Sequence, residues 1–77
     1  MQYIEQPRNI TINVDNNSIE GTVEGTVEGW VFKSDNDYFI ENFPNGEMAR
    51  LDLKYNSPQA HKNIEEEVTK EVNKILA

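Results

Sequence analysis

Three turn signals rich in asparagine, aspartate and glycine divide the first two-thirds of this chain, and no other feature constrains its fold as strongly. They lie at Asp15-Asn16-Asn17-Ser18, Ser34-Asp35-Asn36-Asp37 and Pro44-Asn45-Gly46. Asn-Gly between apolar runs is the strongest short hairpin signal, because both residues tolerate positive φ. β-Branched and aromatic residues dominate the runs between the turns. The pattern predicts antiparallel strands at about residues 9–14, 19–33, 38–43 and 47–55.

The second predicted strand, residues 19–33, is unusually long and contains Gly21, Gly25 and Gly29. Glycines within a strand permit a bend or a bulge. A bend would let the first half of this strand pair with residues 9–14 and its second half with residues 38–43. We therefore predict a four-stranded β-meander whose second strand is long and bent.

The last part of the chain, about residues 58–76, has the pattern of a helix. Ser57 is a suitable N-cap, and Pro58 suits the first helical turn. The apolar residues that follow recur at spacings of three and four, as on one face of a helix: Ala60, Ile64, Val68, Val72, Ile75 and Leu76. The predicted fold class is therefore α+β, an antiparallel β-meander with one C-terminal helix packed on one sheet face.

The predicted turns also sort the strand residues onto two faces, because side chains alternate along a strand. We place the hairpin tips at Asn16-Asn17, Asp35-Asn36 and Asn45-Gly46. One face then collects mostly apolar residues, namely Ile10, Ile12, Val14, Ile19, Val23, Val27, Val31, Tyr38, Ile40, Ala49, Leu51, Leu53 and Tyr55. This face is predicted to pack against the apolar side of the helix.

The opposite face is predicted to carry an aromatic patch that no helix remains to cover. The patch comprises Trp30, Phe32, Phe39, Phe43, Met48 and, at its edge, Arg50. Large exposed apolar patches mark interfaces, and this composition is typical of interface centres. We therefore predict a non-enzymatic protein-interaction module that self-associates, with a dimer favoured. Alternatively, the sheet curls so that these side chains form a second small core under residues 1–4.

Two further hypotheses remain open at this stage. Glu20, Glu24 and Glu28 form a row on the polar half of the same face, with about 13 Å between successive members along a strand. Such a row could imitate nucleic-acid phosphates, as in an inhibitor that occupies a basic site on another protein. The third hypothesis is a small-molecule binder that uses the aromatic half as a stacking floor.

Composition limits the remaining function classes. The 77 residues predict a single domain that gains from self-association. There is no cysteine and only one histidine, His61, so we expect no disulfide, no thiolate or multi-histidine metal site and no nucleophile–base pair. The chain also has no glycine-rich nucleotide-binding motif, and we expect no cofactor. A net charge of −7 disfavours direct contact with nucleic acid or an anionic membrane. No apolar run is long enough to span a bilayer, and the cytoplasm is the expected compartment.

Overall fold

A computed structural model describes residues 2–53 and 56–77 of the chain. Within these residues the elements are β1 (Ile4–Val14), β2 (Asn17–Gly25), β3 (Val31–Lys33), α1 (Asp37–Asn42), β4 (Glu47–Ala49), a 3-10 helix (Arg50–Asp52) and α2 (Gln59–Leu76). The four strands form one antiparallel sheet in the order β1-β2-β3-β4. The C-terminal helix α2 packs on β1, so the predicted fold class, a four-stranded antiparallel sheet with a C-terminal helix, is confirmed.

The β1–β2 hairpin turns at Asp15 and Asn16, one residue earlier than predicted. Both residues have positive φ, 51° and 67°, as a two-residue hairpin turn of type I′ requires. Val14 is therefore paired with Asn17, and the partner of Ile12 is Ile19. The β2 partner of each of these β1 residues is therefore two positions earlier in the sequence than predicted. Because side chains alternate with a period of two, the apolar residues of this hairpin keep their predicted face.

The long second strand of the prediction is two strands in the structure. β2 ends at Gly25, whose φ of 113° favours glycine, and the chain reverses over residues 26–30. β3 then pairs back onto β2, with Val23 directly opposite Phe32. The side chains of directly paired residues lie on the same face of a sheet, so Phe32 lies on the face of Val23. Along one continuous strand, an even-numbered and an odd-numbered residue would lie on opposite faces. The predicted face assignment is therefore inverted after residue 30.

The predicted strand at residues 38–43 is wrong, because helix α1 occupies Asp37–Asn42. The Asn36 side chain caps this helix by accepting a hydrogen bond from the Phe39 N–H at 3.0 Å. The Asp-Asn segment that was predicted as a hairpin tip is thus a helix start. Phe39 and Phe43 lie four positions apart, which suits one face of a helix. A run of six residues is nevertheless too short for its periodicity to distinguish a helix from a strand.

The last predicted strand, residues 47–55, ends at Ala49, where the chain enters the 3-10 helix. β4 pairs with β3, and Phe32 lies opposite Met48. Leu51 was predicted in the core but is 79% exposed. Lys54 and Tyr55 lie outside the described residues.

A single hydrophobic core fills the space between the sheet and α2. The predicted apolar side of α2 is confirmed, since Ile64, Val68 and Val72 are fully buried and Ile75 is partly buried. The buried residues are Ile4, Ile10, Ile12, Val14, Ile19, Val23, Trp30, Phe32, Phe39, Met48, Ile64, Val68 and Val72. Within the described ranges, no helix is both long and apolar enough to cross a lipid bilayer.

Candidate interaction surface

The predicted aromatic patch is not on the surface. Trp30, Phe32 and Phe39 are fully buried, and Met48 is 3% exposed. The Phe32 and Phe39 rings meet edge to face with centroids 5.2 Å apart, and Phe43 packs on Phe39 at 5.1 Å. The prediction of an exposed aromatic face is therefore wrong. It has two causes: the chain reversal before β3 turns Phe32 and Met48 toward the helix, and Phe39 lies on helix α1 rather than on a strand.

These residues do not form a second small core either. They belong to the same hydrophobic cluster as the β1–β2 hairpin and α2. Trp30 shows this most directly, because its indole Nε1–H donates a hydrogen bond to Thr69 Oγ1 of α2 at 3.0 Å. Residues 1–4 were the predicted cover of such a second core. Ile4 is buried in the single cluster, and Met1 lies outside the described residues.

Arg50, predicted at the rim of the aromatic patch, connects three parts of the molecule. Its Nε donates to Glu65 Oε1 of α2 at 2.7 Å, and its Nη1 donates to the Val27 carbonyl oxygen at 2.6 Å. Its main-chain N–H also donates to the carbonyl oxygen of Trp30 at 3.0 Å. The guanidinium therefore fixes the 3-10 helix to the β2–β3 connection and to α2.

The acidic row of the prediction is interrupted. Glu20 and Glu24 lie on β2 and share a face, since they are four positions apart on one strand. Glu28 follows the end of that strand and lies in the connection to β3. The regular spacing along a strand thus applies to two of the three carboxylates. The inhibitor hypothesis stays a prediction.

The sheet face that points away from α2 is polar and open to solvent. Its residues alternate with the buried ones along each strand and are exposed or half-buried. They are Asn9, Thr11 and Asn13 on β1, Ser18, Glu20, Thr22 and Glu24 on β2, Val31 and Lys33 on β3, and Glu47 and Ala49 on β4. This face is therefore polar apart from Val31 and Ala49, which lie opposite each other on β3 and β4.

Strand β1 is an edge of the sheet, and within residues 2–53 and 56–77 its only strand partner is β2. In the two-residue turn the Val14 carbonyl faces the Asn17 N–H, so Val14 directs its main-chain groups toward β2. Inward and outward residues alternate along an antiparallel strand. The main-chain N–H and C=O groups of Asn9, Thr11 and Asn13 therefore point away from the sheet.

The part of β1 that offers these groups carries no charge. Residues 9–14 contain no acidic or basic side chain, although the chain as a whole has a net charge of −7. Natural edge strands usually carry charges, prolines or bulges that prevent pairing with other chains. Here the proline, Pro7, and the register irregularity between Ile4 and Arg8 lie before this segment, and the nearest charges, Arg8 and Asp15, lie at its two ends. The segment from residue 9 to residue 14 is therefore a regular, unprotected edge.

Opposite charges flank this free edge. Arg8 is exposed, and no side chain of the described ranges forms an ion pair or a hydrogen bond with its guanidinium. Asp15 at the other end accepts hydrogen bonds from the Tyr38 hydroxyl at 2.6 Å and from Asn63 Nδ2 at 3.4 Å. The hydrogen bond to this carboxylate raises the pKa of Tyr38 above its usual value near 10.0. The Asp15 carboxylate is thus held on the helix side of the sheet.

A separate cleft of about 410 Å³ lies between β4 and the start of α2. Phe43, Met48, Leu53 and Pro58 provide apolar walls, and the His61 ring packs on the Phe43 ring with centroids 4.2 Å apart. Glu47 and Asp52 also line the cleft, while Lys54 and Tyr55, which are next in sequence to Leu53, lie outside the described residues. Among the described residues, no group of three or more His, Asp or Glu side chains could hold a metal ion.

Sequence reasoning missed the free edge of β1, although the signal was present. The first strand of a meander always lies at an edge, and the absence of charge between residues 9 and 14 is visible in the sequence. Comparison of the chain with protein-family models, with curated proteins and with solved structures gave no match.

Proposed function

We propose that this chain is a non-enzymatic protein-interaction module that binds by strand addition to the free edge of β1. One observation carries the proposal, namely a regular edge of six uncharged residues, 9–14, on an otherwise strongly acidic chain. An added strand would find main-chain donors and acceptors at Asn9, Thr11 and Asn13. Strand addition obtains its affinity from such main-chain hydrogen bonds.

The side chains along this edge fit such a role. Ile10, Ile12 and Val14 are fixed in the core beneath α2, so the strand is already held in its extended conformation. A rigid strand loses little conformational freedom on binding, which favours association. Asn9, Thr11 and Asn13 are exposed on the open face and can contact the side chains of the incoming strand.

Amide hydrogen exchange measured by NMR in dilute solution tests whether the edge is free. We expect the N–H groups of Thr11 and Asn13 to exchange quickly, while those of Ile10 and Ile12 exchange slowly because they face β2. Slow exchange of all four amides in the dilute monomer would show that the edge is covered, and the proposal would fail.

Selection from a display library of extended seven-residue peptides tests binding. Thr11→Pro is the matched blocking variant, because it removes an outward N–H and leaves the ladder to β2 intact. Thr11→Ala is the control, since it changes the side chain and keeps the N–H. Peptides enriched on wild type should bind Thr11→Ala and fail to bind Thr11→Pro. Equal binding to all three proteins would place the interaction elsewhere.

The cleft beside His61 supports a second candidate function, the binding of a small apolar or aromatic molecule. Its volume of about 410 Å³ is within the range of small-molecule sites, and its walls combine apolar side chains with polar ones such as Glu47, Asp52 and His61. A fragment screen by NMR is expected to shift the resonances of Phe43, Met48 and His61 together. Hits that leave these three unchanged would remove the support for this candidate.

A further inference from the structure

We propose that the partner at the β1 edge is an extended segment of another protein that carries two basic side chains two positions apart, which bind Glu67 and Glu71 of α2. This inference rests on the proposed function and names the chemistry of its partner. The main-chain groups of β1 would hold the segment in place. The two carboxylates would select its side chains.

Helix α2 runs antiparallel to β1 and lies along the strand from one end to the other. At the hairpin end, Asn63 and Glu67 line a hollow together with Asp15. At the other end, Ile75 lines a second hollow together with Arg8. A strand added to β1 would therefore lie beside one side of this helix over its whole length.

The side of α2 that faces the free edge is identified by the contact on its other side. Thr69 accepts the hydrogen bond from the indole of Trp30, which precedes β3, so Thr69 points toward β3. Residues two positions apart on an α-helix point about 200° apart. Glu67 and Glu71, two positions before and after Thr69, therefore point the opposite way, toward the edge that β1 forms in the sheet order.

Each of these two carboxylates keeps one oxygen available. Oε2 of Glu67 accepts a hydrogen bond from Lys70 and Oε2 of Glu71 accepts one from Lys74, both at 3.0 Å. Within residues 2–53 and 56–77, neither Oε1 has a partner. The two lysine side chains are 58% and 73% exposed, and such exposed ion pairs contribute little. A basic side chain of an added strand can therefore bind the free oxygen or replace the lysine.

The spacing of the carboxylates matches the spacing of side chains on one face of a strand. Glu67 and Glu71 are four positions apart on α2, which is about 6 Å along the helix axis. Side chains two positions apart on a strand share a face and lie about 6.8 Å apart. Two basic residues separated by one residue would thus reach one carboxylate each.

Charge along the edge places these basic residues near the hairpin. Asp15 and the exposed Glu66 line the same hollow as Glu67. Arg8, by contrast, lies six residues before Val14, which is about 20 Å along the strand. The net charge of −7 also attracts a basic segment toward the chain as a whole.

A second copy of this chain does not fit the same edge. Pairing two β1 strands about a two-fold axis would bring their α2 helices to about the 4.8 Å spacing of neighbouring strands, because each helix lies along its own β1. Packed helices need about 8–10 Å between their axes. A segment that brings no helix with it avoids this clash, which favours an extended segment of another protein.

Titration with two synthetic peptides, followed by NMR, tests the inference. The probe is Val-Thr-Lys-Thr-Lys-Thr-Val with both termini blocked, which puts both lysines on one face. Its sequence is the same in both directions, so parallel and antiparallel pairing present the same side chains. The matched control has glutamine in place of both lysines.

The lysine peptide should shift the amide resonances of Thr11 and Asn13 and bind about tenfold more tightly than the glutamine peptide. This ratio corresponds to two ion pairs of about 0.7 kcal/mol each. A ratio below about twofold, or no binding of the lysine peptide at millimolar concentration, would overturn the inference.

Protein variants locate the charged contact. Glu67→Gln combined with Glu71→Gln should remove the preference for the lysine peptide. Glu20→Gln combined with Glu24→Gln makes the same change in net charge on the open face of β2 and should keep that preference within about twofold. Equal effects of the two double variants would indicate attraction by net charge alone and overturn the inference. A thermal melt confirms that each double variant folds, and the comparison of the two peptides on wild type needs no variant.

The results separate this inference from the proposed function. Display-library peptides that bind wild type and Thr11→Ala but not Thr11→Pro, and that lack paired basic residues, would overturn the inference and still support strand addition. A lysine peptide that binds Thr11→Pro as tightly as wild type would show ion pairing without strand addition, and both proposals would fail.

Discussion

Replacing Phe39 by alanine is the sharpest test of the conclusion that the aromatic residues form the core. Phe39 is fully buried and packs edge to face on Phe32 and against Phe43. If these rings belong to the core, Phe39→Ala removes packing from the centre of the molecule. If they formed a surface patch, the same substitution would cost little stability.

The expected loss is large compared with the stability of so small a protein. Replacing a buried phenylalanine by alanine typically costs about 3–5 kcal/mol, including the cavity that remains. A chain of 77 residues has a free energy of unfolding of about 4–12 kcal/mol. Phe39→Ala should therefore remove between a quarter and all of that stability. The corresponding fall in Tm is about 12–40 °C.

Urea unfolding followed by fluorescence is the assay, because the chain contains one tryptophan, Trp30, and its indole is buried. Leu51→Ala is the matched control, since Leu51 is a large apolar residue that is 79% exposed. It should change the free energy of unfolding by less than about 0.5 kcal/mol. A loss below about 1 kcal/mol for Phe39→Ala, or equal losses for the two variants, would refute the assignment of the core.

Three further outcomes follow from individual contacts. Gly21→Ala should destabilise the protein by at least about 2 kcal/mol in urea unfolding, because its Cβ would overlap the main-chain carbonyl oxygen of Lys33 in β3. Thr69→Val should cost about 1–3 kcal/mol by leaving the indole N–H of Trp30 without its acceptor, and the cost should vanish in a Trp30→Phe background. The phenol of Tyr38 should titrate by NMR above pH 10.0, and Asp15→Asn should lower the midpoint. Because the folded pKa is raised, this hydrogen bond stabilises the protein below pH 10.0 and its contribution is lost as pH rises further.

Local signals in the sequence predicted the elements whose pattern is long or whose turn chemistry is specific. The apolar periodicity of α2 extends over five turns, and its buried face is the predicted one. The Asp-Asn pair that closes the β1–β2 hairpin was located to within one residue. The segment from Asp37 to Asn42 was assigned incorrectly, because six residues can satisfy an alternating pattern and a helical one equally well.

The sequence by itself determined that the chain folds as an antiparallel sheet with one C-terminal helix, since turn chemistry and hydrophobic periodicity are local properties. The tertiary structure decided which side of the sheet receives Trp30 and Phe32. That choice depends on where the chain reverses between β2 and β3, because one residue more or fewer in an antiparallel pair exchanges the faces of every side chain that follows. The sequence offered three glycines at which to turn, and the chain turns after Gly25, which places Trp30 and Phe32 in the cluster shared with α2. The same packing buries the aromatic side chains, whereas the free edge of β1 follows from the order of the strands.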